Sequence, residues 1–249
     1  MGALDGKVAL VTGAGKNIGR AIALTLARDG ATVVVNGRAD RTAIEGVAAE
    51  IAAQGGKAVA HLADVSDELA VAQMVEETAA RFGGIDVAVS NAGLRRQTAF
   101  TDIGLAEWRA VLSVALEGAF LLSRAVVPHM IRRGGGAIIG LSGVSNHVGT
   151  PNRAHVSAAK AGLEGLMRSL AVELAPHGIR CNCVAPGIVD TMRGATAGPR
   201  PHTMGDGAVP LKRGGTVAEI SAMVRLLAGP EGAYVTGQTI HVNGGLFLT

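Results

Sequence analysis

Short apolar runs alternate with longer amphipathic ones along the whole chain. "KVALVT" (7–12), "ATVVVN" (31–36), "KAVAHL" (57–62), "IDVAVSN" (85–91), "GAIIGLS" (136–142), "IRCNCVAP" (179–186) and "QTIHV" (238–242) read as strands. They are rich in Val, Ile and Ala with little polar alternation, as expected for strands buried on both faces of a parallel sheet. Between them, helical spacing runs over 18–28, 40–54, 67–81, 105–132, 154–175 and 216–228. In the first of these, Ile18, Ile22 and Leu26 recur one turn apart. Alternating strand and helix predicts right-handed βαβ units. The expected fold is α/β: a single-domain, Rossmann-type doubly wound parallel sheet of about seven strands, with helices on both faces. Nothing long or polar enough to split the 249 residues interrupts the pattern, so one domain over 1–249 is expected. One irregular stretch, 187–215, is rich in Gly, Pro and Thr; a loop that long in a compact domain is usually a functional lid.

Composition narrows the function. The 36 glycines follow no collagen-like period and point to tight turns and close backbone approaches. Net charge is +3 without a basic block, and the aromatics are one Trp, one Tyr and four Phe, which argues against nucleic-acid binding. The only cysteines are Cys181 and Cys183, two apart on a predicted strand; they read as buried small hydrophobes, not as a disulfide. The N-terminus lacks a signal-peptide pattern, and no apolar run approaches about 18 residues, so a cytoplasmic protein with no membrane partner is expected.

The first strand runs into "TGAGKNIGRAIA" and then a helix. A glycine-rich turn there lets backbone N–H groups approach a pyrophosphate, and the helix N-terminus adds favourable partial charge. The second strand ends in "NGRADR", where an NAD site would carry an acid for the ribose hydroxyls. Gly37 removes that acid and Arg38 offers a guanidinium. Lys16 in the glycine turn adds a second cation. Together they favour the 2′-phosphate of NADP, although Asp40 leaves room for NAD. "ADV" places Asp64 and Val65 after the third strand, where adenine would lie. "SNAG" (90–93) closes the fourth strand at its C-terminal end.

The order "TGAGKNIG", "ADV", "SNAG", "AAKAG", "VAPGIVDT" and "YVTGQTIHVNGG" resembles the short-chain dehydrogenases/reductases over essentially the whole chain. That resemblance implies a seven-stranded parallel sheet, a nicotinamide cofactor, a small-molecule substrate and a homotetramer. It assigns Gly13, Lys16, Asn17, Ile18 and Gly19 to the pyrophosphate turn and Arg38 to NADP selection. Asp64 and Val65 would flank adenine. Asn91, Ala92 and Gly93 would line the ribose. Pro186, Gly187, Ile188 and Thr191 would seat the nicotinamide. Asn17 stands where the family carries its middle glycine; Asn tolerates unusual backbone angles, and its amide could reach the ribose or phosphate.

The catalytic part of the pattern departs. Lys160 matches the family lysine, but Val156 stands at the tyrosine position, Gly143 at the serine position and Ala115 at the asparagine position. Neither Ser142 nor His155, one residue away, would point where the missing group should. The only tyrosine, Tyr234, falls in a segment to which the resemblance gives a structural role. A reductase with another proton source is the first expectation. Lys160 would hold the nicotinamide ribose, and Ser145 and His147 are the candidate catalytic groups beside it. Arg153 is a further candidate near the substrate side, against the plainer reading of a surface cation. Arg95 and Arg96 hint at an anionic or polar substrate, against the plainer reading of exposed arginines. Asp190, His202 and Asp206 in the lid are acid–base candidates for a non-redox enzyme, and a catalytically inactive NADP-binding subunit or sensor is the third possibility.

Overall fold

The computed structural model describes residues 2–192 and 209–248. Seven strands form one sheet: β1 Val8–Val11, β2 Thr32–Gly37, β3 Lys57–Leu62, β4 Val87–Ser90, β5 Gly136–Leu141, β6 Ile179–Pro186 and β7 Thr239–Val242. All pair in parallel, in the order β3-β2-β1-β4-β5-β6-β7. The intervening helices are α1 Asn17–Arg28, α2 Arg41–Ala53, α3 Glu68–Phe82, α4 Leu105–Leu112, α5 Gly118–Arg132, α6 Ser145–Val148, α7 Ala154–Leu174 and α8 Val217–Ala228. The expected doubly wound sheet is present. The short α6 was not foreseen, because four residues carry no helical period.

Strand residues alternate between two cores, which explains why the runs look uniformly apolar. Ala9, Val11, Val33 and Val35 pack on one face with Ile22 of α1, Ile44 and Ile51 of α2, and Ile220 and Val224 of α8. Leu10, Val34, Ala88 and Ile138 pack on the other with Met74 of α3, Leu122 and Val126 of α5, and Leu163 and Met167 of α7. Both layers exclude water from the sheet, so each strand needs apolar side chains at every position.

The segment 105–132, expected as one helix, is continuous but contains a π turn at Ser113–Glu117 between α4 and α5. It is 28 residues long, and an 18-residue window of it has a mean hydropathy of 1.8, so by length and composition alone it could cross a membrane, although charged residues such as Glu117 and Arg124 interrupt the apolar run. Its face bearing Leu122, Val126 and Met130 is instead part of the second core. At the other end of the chain, α8 begins with a reciprocal cap: Thr216 Oγ1 accepts from Glu219 N–H, and Glu219 accepts from Thr216 N–H.

The order of the strands reverses between β1 and β4. Val11 is in register with Val35 of β2 and Val89 of β4, so the carboxyl ends of these three strands lie side by side. A crevice opens at such a switch point; the first cleft described next lies there, and the second adjoins it at the carboxyl ends of β5 and β6.

Candidate active site

The first cleft is built on a strained turn. Gly13 and Asn17 have φ of 61° and 52°, in the left-handed region. A Cβ at Gly19 would stand 2.3 Å from Gly13 O and 2.5 Å from Asn91 Nδ2, so only glycine fits. Thr12 locks the turn to β4: its hydroxyl donates to Val89 O and accepts from the N–H groups of Asn91 and Ala92. Asn91 Nδ2 donates to the carbonyls of Thr12, at 2.9 Å, and Gly13, at 3.0 Å. Asn91 thus braces the glycine turn with its side chain, a role its place in "SNAG" did not reveal.

This cleft is lined by Gly13, Lys16, Asn17, Ile18 and Gly19 from the turn, Arg38 after β2, Asp64 and Val65 after β3, and Asn91, Ala92 and Gly93 after β4. The sequence grouped these residues, and the fold brings them onto one wall. Asn36, Val114 of the π turn and Met192 also line it and were not singled out. Asn36 Nδ2 donates to Ala63 O at 3.1 Å, joining the ends of β2 and β3. Asp64 accepts from Ser66 N–H and Oγ. Burial works to raise its pKa, but the Ser66 bonds and the charge of Arg38 outweigh this and lower it. Asp40 caps α2 by accepting from Ala43 N–H at 3.0 Å and does not line the cleft.

Asn17 reaches across the cleft. Its Nδ2 donates to Met192 O at 3.0 Å, and its Oδ1 accepts from Met192 N–H at 2.9 Å. The amide therefore clips the start of the loop after β6, where the sequence suggested a contact to ribose or phosphate. A backbone bridge of Val189 with Gly215 closes the ends of that loop. Of the acid–base candidates placed in the lid, His202 and Asp206 lie outside the described residues, while Asp190 N–H donates to Gly215 O at 3.0 Å.

The second cleft adjoins the first, sharing Ile18, Asn91, Gly93, Leu94 and Arg95. Lys160, Ser145, Pro186, Gly187, Ile188 and Thr191 line it, with Gly143 and Val156. Lys160 Nζ donates to Leu141 O. A Cβ at Gly93 would stand 3.6 Å from that ammonium. Burial drives the Lys160 pKa down to about 8; Arg95 pushes the same way, while Cys183 and Glu164 oppose it. Val156 packs with Val111, Ala115 and Ala159. A Cβ at Gly143 would meet only Ser145 Oγ, 4.0 Å away, which leaves open space on that side. No tyrosine lines either cleft, and Tyr234 is fully exposed, with none of the packing that a structural role inside one chain would require.

The other sequence candidates have distinct surroundings. His147 is absent from the cleft lining: its Nε2 lies 2.9 Å from Glu164 Oε1, and its ring packs against His241 and Phe247. Glu164 also accepts from Asn146 and Ser142, so Ser142, although it lines the second cleft, has its hydroxyl committed to Glu164. His155 is fully buried, with Nε2 3.0 Å from Glu107 Oε1. Arg153 and Arg95, for which the sequence left a substrate-side and a surface reading open, line the second cleft. Helical and strand periodicity give the face of a residue but not which neighbour captures its polar end.

Residues 13–247 match the family model described as enoyl-(acyl carrier protein) reductase. A 3-oxoacyl-[acyl-carrier-protein] reductase from Synechocystis is 41% identical over 249 residues, covering 100% of both chains. A solved structure from Sinorhizobium meliloti 1021 superposes with a TM-score of 0.92 at 36% identity, covering 98% of this chain and 97% of that one. A short-chain type dehydrogenase/reductase from Mycobacterium marinum superposes at 0.90 and 36% identity, covering 99% and 97%. The chain belongs to the short-chain dehydrogenase/reductase family and is an oxidoreductase of that type.

Proposed function

We propose that the protein is an NADP(H)-dependent reductase of a carbonyl or imine-like small molecule, working without a tyrosine. The carrying observation is that a half-buried lysine, Lys160, and a serine, Ser145, line a cleft continuous with the nucleotide cleft, and no phenol does. The curated relative named above is a 3-oxoacyl reductase, which supports carbonyl reduction as the reaction class. The Gly13–Gly19 turn fits a dinucleotide, because it joins β1 to the N-terminus of α1 and Gly19 packs so closely on Gly13 O and Asn91 that the turn stays tight. Lys16 and Arg38 on that wall, with Asp40 engaged as a helix cap, favour the 2′-phosphate of NADP. Bound NADPH supplies the hydride.

The chain's own groups supply the rest. Lys160 Nζ carries the proton for the substrate oxygen, and Leu141 O holds the ammonium in place. Ser145 offers a hydroxyl to the same oxygen, and Val156 and Ile188 exclude water. An imine-like substrate already protonated would need only the binding roles. His147, bound to Glu164, supports the loop and is not a proton donor in this reading. Exposed Phe120 and Val172 offer apolar surface for the homotetramer, and the free, buried thiols of Cys181 and Cys183 suit the cytoplasm.

The test is NADPH consumption over a panel of carbonyl and imine substrates, with Lys160→Met beside the wild type. Turnover that falls about 10²–10⁴-fold in the variant supports Lys160 as the acid. NADPH binding with no turnover on any substrate contradicts the reading.

A further inference from the structure

The second cleft has an unbalanced charge. Arg95 arrives from the segment after β4, Arg153 from the cap of α7, and Lys160 from inside α7, and all three line it. No Asp or Glu belongs to that lining among the described residues. Two separate parts of the chain, the segment after β4 and the first turns of α7 with its cap, thus deliver three cations to one small space. The rest of the lining is uncharged: Asn91, Ser142, Ser145 and Thr191 are polar, and positions such as Val144, Val156 and Gly143 are apolar or lack a side chain.

The arginines are held in place. Arg95 Nη1 donates to Thr191 Oγ1 at 3.0 Å, tying it to the base of the lid loop. Both arginines also engage other groups in the chain, so a substrate meets the sign of the lining and not a set of spare donors. Arg95 lies near enough to Lys160 for its charge to disfavour the ammonium. An anion bound among the three relieves that repulsion and favours the protonated lysine.

Resting on the reductase reading above, we infer that the substrate is an oxo acid: its carboxylate meets Arg95 and Arg153, and its carbonyl lies at Lys160. Guanidinium groups pair with carboxylates through directed, charge-assisted bonds. The substrate charge then has two effects in this site. It anchors the molecule, and it keeps the proton donor loaded. A neutral ester of the same size has neither advantage.

Matched pairs test this: 3-oxobutanoate against methyl 3-oxobutanoate, and 2-oxobutanoate against its methyl ester. Dihydroxyacetone phosphate against dihydroxyacetone separates a phosphate from a carboxylate. The acids are expected to exceed their esters at least tenfold in kcat/KM. Arg95→Gln and Arg153→Gln are expected to raise KM for the acids at least tenfold and to bring the acid-to-ester ratio of kcat/KM close to one. Esters equal to or better than acids overturn the inference while leaving the reductase reading intact, and so does a preference confined to the phosphate. If no compound consumes NADPH, the reductase reading fails, and calorimetric titration of 3-oxobutanoate into the enzyme–NADPH complex decides the rest. Binding that weakens at least tenfold in Arg95→Gln supports the anion site. Absent binding, or equal binding to the variant, overturns it.

Discussion

At Lys160, burial works against the positive charge that the proposed chemistry needs. With a pKa of about 8, a growing share of the ammonium is lost as pH rises past that value, and with it the proton. At saturating NADPH, kcat/KM for reduction is therefore expected to fall above about pH 8, and a pH–rate series checks this. A flat profile to pH 10 would contradict Lys160 as the acid. The same shift has a stability consequence. The folded pKa lies below the ordinary 10.5, so the unfolded chain binds more protons between the two values, and Lys160 destabilises the fold less as pH rises through that window. Residue chemistry was partly legible in the sequence. The glycine turn and the left-handed Asn17 follow from residue type and spacing. The capture of His147 by Glu164 and of His155 by Glu107 joins residues 17 and 48 positions apart, which no local pattern encodes.

Two loops owe their shape to single polar side chains. The Asn17 amide holds Met192 over the nucleotide cleft, so Asn17→Gly keeps the turn but frees the loop. Net hydrogen-bond contributions of ~1 kcal/mol predict NADPH binding about fivefold weaker, with faster release in stopped-flow fluorescence. Unchanged release would remove the clip from the account. Glu164 plays the corresponding part for the loop from Ser142 to His147. Burial raises its pKa, but donors from Ser142, Asn146 and His147 outweigh burial and lower it. Its contribution is thus present at neutral pH and is lost as pH falls through its lowered folded value. Glu164→Ala leaves those donors without their acceptor and is expected to cost about 1–3 kcal/mol in urea unfolding at pH 7, less in acid. The sequence showed where these loops begin and end, because glycines and strand ends mark them. The side chains that fix them come from distant elements.

On the scale of the whole molecule, one sheet supplies both stability and site. Ile138 is fully buried in β5, next to the central β4, and packs with the helices of the second core. Ile138→Ala is expected to destabilise by ~2–5 kcal/mol, with calorimetry as the check. Every predicted strand and main helix overlaps an observed one, because a doubly wound sheet writes both periods openly into its sequence. The π turn and α6 escaped, the first because it shifts a helix without ending it, the second because it is one turn long. The account as a whole claims hydride transfer in a cleft that has no phenol. Its most direct test is incubation with NADPH deuterated at C4 and a carbonyl substrate panel, followed by mass spectrometry of the products. The prediction is one deuterium at the former carbonyl carbon, from one face of the nicotinamide only, and loss of transfer in Lys160→Met. Bound NADPH with no deuterium in any product would contradict the account.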